Sequence, residues 1–85
     1  MGLVHLGRAR LAMALPRHRV QLRSTKNHQL YDLFEAYALA STTLDNLLRE
    51  VPRREELISE YQQICLDLQA EVVALLALLD DQQPQ

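Results

Sequence analysis

Apolar residues recur through the middle of the chain at alternating spacings of three and four. Leu30, Leu33, Tyr37, Ala40, Leu44, Leu47 and Val51 fill every a and d position of three successive heptads. Such a stripe lies along one face of a helix and is stable only when another helix covers it. Pro52 interrupts the pattern, and a second stripe runs from Leu57 to Leu79. Leu57, Tyr61, Ile64, Leu68, Leu75 and Leu78 share one seam there, with Ile58, Cys65, Val72 and Leu79 beside it and Glu71 intruding at a d position. The spacing predicts two helices, about 26–50 and 52–80, folded as an antiparallel hairpin at Val51-Pro52. Proline disfavours helical geometry in the residue before it. A single long helix that Pro52 only kinks is the competing reading.

Local signals refine the ends. Ser24, Thr25 and Asn27 each offer a side-chain oxygen as N-cap of the first helix. Pro52 suits the first turn of the second helix, where its missing N–H costs nothing, and Glu55 and Glu56 suit the helix dipole there. Ser41-Thr42-Thr43 competes for backbone hydrogen bonds and predicts a bend or brief interruption. Asp80 and Asp81 oppose the dipole at the far end, so residues 83–85 are expected to form a frayed tail. Before the hairpin, Leu3, Leu6, Leu11 and Leu15 keep a roughly helical spacing up to Pro16. From His18 to Arg23, Val20 and Leu22 alternate with polar residues, which fits an extended linker or short strand. Three parts result: a basic N-terminal segment (1–25) forming a short helix or arm, a hairpin domain (26–82) and the tail (83–85).

The segment 72–79 (VVALLALL) is apolar on nearly every side. Eight residues fall far short of the roughly 20 needed to span a bilayer, so the segment calls for protein cover and no membrane span is expected. A lone hairpin would leave Leu66, Val73 and Leu76 in water. Completion is expected either as a three-helix bundle with residues 3–15 or as a dimeric four-helix bundle.

Composition adds limits. At 85 residues the chain makes one small domain with a marginal core. Cys65 is its only cysteine, which rules out an internal disulfide and fits a reducing, cytoplasmic setting. The only glycines are Gly2 and Gly7, so tight β-hairpin turns lack their usual residue and an all-α chain is expected.

Reaction chemistry is missing. Cys65 falls mid-helix between Ile64 and Leu66, and every histidine (His5, His18, His28) precedes residue 29. None of the histidines has a second ligand at tetrahedral-metal spacing. Phosphate-cradling glycine loops, His-Glu-x-x-His and Cys-x-x-Cys patterns are absent. The expectation is a non-enzyme with no cofactor and no metal.

Charge divides sharply. Residues 1–28 carry six cations and no acid, whereas residues 29–85 carry eleven acids against Arg49, Arg53 and Arg54. The halves can attract each other within the fold or across a dimer. Alternatively, Arg17, Arg19, Arg23 and Lys26 form an arm for nucleic-acid phosphates, though no aromatic residue is available there to stack a base. The acid-free, arginine-rich start also shares its charge pattern with mitochondrial transit segments while being poor in serine. Arginine outnumbers lysine eight to one, which points to a GC-rich, bacterial or phage source.

The expected function is therefore helix pairing with another protein, as in an adaptor, chaperone, antiactivator or inhibitor, with self-association as a homodimer. The residues expected at that interface are Leu30, Leu33, Phe34, Tyr37, Leu44 and Leu47 on the first helix. On the second they are Leu57, Tyr61, Ile64, Leu68, Val72, Leu75, Leu76 and Leu79. The alternative is a nucleic-acid-binding regulator that uses the basic arm, with the hairpin as its dimerisation unit.

Overall fold

The computed structural model describes residues 2–82, with side chains through Asp80. The described residues form helices and no strand: α1 (Leu3–Ala14), a 3-10 turn (Pro16–His18), α2 (Arg19–Ser24), α3 (His28–Arg49) and α4 (Glu55–Gln82). The expected tail at 83–85 lies outside the described residues.

Asn27 starts α3. Its backbone is extended and its side chain accepts the Leu30 N–H at 3.1 Å, satisfying one of the free donors of the first turn. The helix then runs without a break through Ser41–Thr43, where a bend was expected. Ser41 Oγ donates to the Ala38 carbonyl at 3.3 Å and Thr43 Oγ1 to the Leu39 carbonyl at 2.9 Å. The hydroxyls bond back into the preceding turn and leave the helical ladder intact.

The chain reverses between Glu50 and Glu55. Pro52 sits in the reversal itself, and α4 begins at Glu55 instead of the expected position 52. Val51, assigned by its spacing to the first stripe, is 95% exposed because α3 has already ended at Arg49. The Arg54 guanidinium spans the turn and donates to both oxygens of the Glu50 carboxylate, at 2.9 and 2.8 Å. This partner holds the Glu50 carboxyl below its ordinary value.

The N-terminal segment is folded onto the helices. Where alternation suggested an extended stretch at 18–23, the chain is helical, with Leu22 fully buried and Val20 facing out. In a strand Val20 and Leu22, two positions apart, would share one face; the helix turns them to nearly opposite sides, so Leu22 enters the core and Val20 faces water.

α3 is the central element. α1 lies along one side of it, α4 runs antiparallel along another, and α2 folds back over α1. Gln69 Nε2 of α4 donates to the Tyr37 hydroxyl of α3 at 2.9 Å. Toward the C-terminal end of α4, Gln21 Nε2 of α2 donates to the Leu76 carbonyl at 3.2 Å and to Asp80 at 2.9 Å. Leu11, Leu22, Leu30, Phe34, Val72 and Leu76 form the fully buried centre. The molecule is elongated, 53 × 24 × 20 Å.

Two positions on α4 differ from the heptad reading. The buried seam is centred on Ile58, Cys65, Val72 and Leu76, while Ile64 (41% exposed) and Leu78 (55%) face away from α3. The 58-65-72 spacing keeps one face on α3 and moves Glu71 to the outside, so no carboxylate enters the seam. Leu76, expected in water beside a bare hairpin, is 1% exposed and belongs to the core cluster with Leu22 and Leu30, and Gln21 of α2 caps its carbonyl.

Candidate interaction site

α1 and α4 both rest on α3 yet barely touch each other. The space between them is an open groove of about 740 Å³. Tyr37, Ser41 and Leu44 of α3 form its floor together with Cys65. Arg10, Met13 and Ala14 form the α1 wall, and Gln62, Leu66 and Gln69 the α4 wall. Met13 is 80% exposed and Leu66 56% exposed, so the walls present apolar surface to water.

The polar groups of the groove are largely paired with one another. Arg10 Nη1 bridges to Asp45 at 2.8 Å and donates to Ser41 Oγ at 3.1 Å, tying α1 to α3. Gln69 is held by Tyr37. Burial pushes the Cys65 thiol above its ordinary value, the Asp45 carboxylate adds to that shift, and Arg10 opposes it. Such a thiol stays protonated and is a weak nucleophile. What the arrangement can do is hold a shaped apolar surface beside uncharged amides, which suits docking.

The sequence-derived interface residues separate into three groups. Leu30, Phe34, Tyr37, Leu47, Val72 and Leu76 lie inside the chain's own core, where they hold its helices together. Leu33, Leu44, Leu57, Tyr61, Leu68, Leu75 and Leu79 are half-buried along the α3–α4 contact, and Ile64 is on the outer side of α4. Of all these, only Tyr37 and Leu44 reach the groove.

Arg17, Arg19, Arg23 and Lys26 are exposed on the folded N-terminal layer and do not sit on a free arm. Among the described residues, one ion pair, Arg10–Asp45, joins the basic N-terminal layer to the acidic remainder. Arg19 and Arg23 line a second cleft of about 510 Å³ with His5 and Arg8; Met13 lines both this cleft and the groove.

Three contributors escaped the sequence reading. Gly7 lets α1 approach the α3 backbone at Phe34, and its signal was an isolated glycine inside a helical pattern. Arg8 donates to the carbonyls of Arg23 and Thr25, both at 3.3 Å, while its guanidinium lies over the Tyr31 and Phe34 rings at 5.6 and 5.3 Å. Met13 stands out only because its helix ends at the groove, for which the sequence carries no signal.

α4 is more apolar than the 72–79 segment alone suggested. Over Glu55–Asp80 it is long and apolar enough to cross a membrane by length and composition, an 18-residue stretch within it having mean hydropathy 1.4 and 17% of its residues buried. No group of three or more His, Cys, Asp or Glu side chains that could hold a metal ion occurs among the described residues. Comparison with protein-family models, with curated proteins and with solved structures found no match to the chain.

Proposed function

We propose that this chain is a small non-enzymatic interaction module that acts by accepting a helix of a protein partner, in the manner of an adaptor, chaperone, antiactivator or inhibitor. The observation that carries the reading is the open groove between α1 and α4, with exposed Met13 and Leu66 on its walls. Three helices packed around a common axis would close this gap; here it stays open, and a further helix is the object that fits it. A dimeric four-helix arrangement of the hairpins is the simplest way to fill it within one protein species.

The surplus apolar surface of α4 is read as a protein-docking surface in a cytoplasmic setting. Glu60, Asp67 and Glu71 recur along the same helix, and each would be costly in the hydrocarbon of a bilayer. The reading is tested with a photo-crosslinking side chain placed at Met13. Crosslinks to a helical segment of a second polypeptide, lost with Leu66→Asp while helicity is kept, are expected. Crosslinks that Leu66→Asp leaves unchanged would sink it.

A second reading has its own observation. Arg17, Arg19, Arg23 and Lys26 are exposed with no acidic partner among the described residues, a surface suited to a phosphate backbone. A nucleic-acid-binding regulator would shift a DNA or RNA probe at low salt and lose that shift when Arg17, Arg19 and Arg23 become Ala.

A further inference from the structure

The two charged layers of the molecule sit on different sides of α3. α1, the 3-10 turn and α2 carry Arg8, Arg10, Arg17, Arg19 and Arg23 with no acid, and the charged residues of α4 are all acids. Since a single ion pair joins the basic layer to the acidic remainder among the described residues, the remaining attraction between the layers is unspent within one chain. The groove lies against the basic layer, because Met13 lines both the groove and the cleft that holds Arg19 and Arg23. An occupant should therefore offer an apolar side chain flanked by acids.

α4 has that chemistry on its outer side. Glu60, Ile64, Asp67 and Glu71 follow one another at spacings of four, three and four, and therefore share a face. All four are exposed, Ile64 to 41%. We propose that the groove and its basic shoulder dock this outer face of α4 from a second copy of the chain. Ile64 enters beside Met13 and Leu66, and Asp67 and Glu71 approach Arg19 and Arg23. The proposal rests on the helix-docking reading above and commits it to one occupant. It explains why the α4 wall of the groove consists of Gln62, Leu66 and Gln69 while the carboxylates are kept on the outer side, where the partner's arginines arrive.

The test uses the full chain and two charge-reversed variants, Arg19→Glu/Arg23→Glu and Asp67→Lys/Glu71→Lys, in sedimentation velocity at low and at physiological salt. All four positions are exposed, and circular dichroism checks that helicity is retained. The wild-type chain should associate at low salt and weaken at least about tenfold at physiological salt, as screening predicts. Each variant alone places like charges in contact and should be monomeric. Mixed in equal amounts they should associate again, since each now offers the other the opposite charge. Association that survives both reversals, or a mixture that stays monomeric, would overturn the proposal. A wild-type monomer whose Met13 crosslinks to another protein still vanish with Leu66→Asp would overturn it too, while leaving the docking reading standing. A monomer without such crosslinks would remove both.

Discussion

Gly7 of α1 lies against the backbone of Phe34 in α3, so close that a methyl group at Gly7 would collide with the Phe34 carbonyl oxygen. The neighbour is backbone inside a helix, so it cannot turn aside as a flexible side chain would. Gly7→Ala should force α1 away from α3, exposing Leu11 and loosening the Phe34 packing. A loss of about 3 kcal/mol is expected, at the upper end of the usual overpacking cost. Urea denaturation measures it, and a variant with unchanged midpoint would show that the close approach is not required. Gly2→Ala, where a methyl meets nothing, is the matching control.

Arg8 fastens the end of α2 to the body of the molecule. Its fork holds the Arg23 and Thr25 carbonyls, and its flat face covers Tyr31 and Phe34. Arg8→Ala removes charge-assisted hydrogen bonds and ring contact together, for about 2 kcal/mol. Arg8→Lys keeps the charge but lacks the planar fork and should recover only part of it. Amide hydrogen exchange should accelerate in residues 19–25 before it does in α3 or α4.

Leu44 and Leu66 distinguish folding from docking. Leu44 is half-buried against the core, so Leu44→Asp places an unpaired charge in an apolar seam and should cost about 3 kcal/mol. Leu68→Asp should behave similarly. Leu66 is more than half exposed, and Leu66→Asp should shift stability by no more than about 0.5 kcal/mol. Circular dichroism melts check both halves of the contrast. A strongly destabilised Leu66→Asp protein would mean that the groove is not free surface.

The Cys65 thiol gives a pH signature. Burial raises it above the ordinary thiol value, so the folded chain keeps a proton that the unfolded chain releases. Stability should be independent of this group below the ordinary value near 8.5 and should fall as pH rises beyond it. Cys65→Ser should abolish that decline at a modest cost in packing. Alkylation of native Cys65 at neutral pH should be slow and should speed up in urea.

Much of the helical layout was legible in the residues. Asn27 among three candidate caps, the apolar periodicity of 30–47, and the reversal near Pro52 all act over a few neighbouring positions, so local spacing carries them. The extent of the N-terminal helices was not legible. Val20 and Leu22 alternate in sequence, and only the packing of α2 on α1, with Leu22 in the core cluster, makes a helix the better way to bury Leu22 alone. The stripe on α4 could be assigned to a helix but not to a rotation, because Ile58, Tyr61, Ile64 and Cys65 are all apolar. Choosing among them required α3 to be in place. The basic segment was legible as a charge pattern, yet its role in the fold depends on Gly7 and Arg8, which act only through contacts with Phe34, Tyr31 and the end of α2.

By itself the sequence determined the all-helical class of the protein: the two long helices of the hairpin with their approximate lengths, each apolar on one face, and the division of charge along the chain. Those properties follow from periodicity and residue chemistry, which are local. The tertiary structure decided which apolar residues are buried inside the chain and which stay exposed. Phe34, Val72 and Leu76 went to the core, while Met13, Ile64 and Leu66 stayed at the surface. Burial is a property of what lies across the gap, and no spacing along one helix can specify its neighbour.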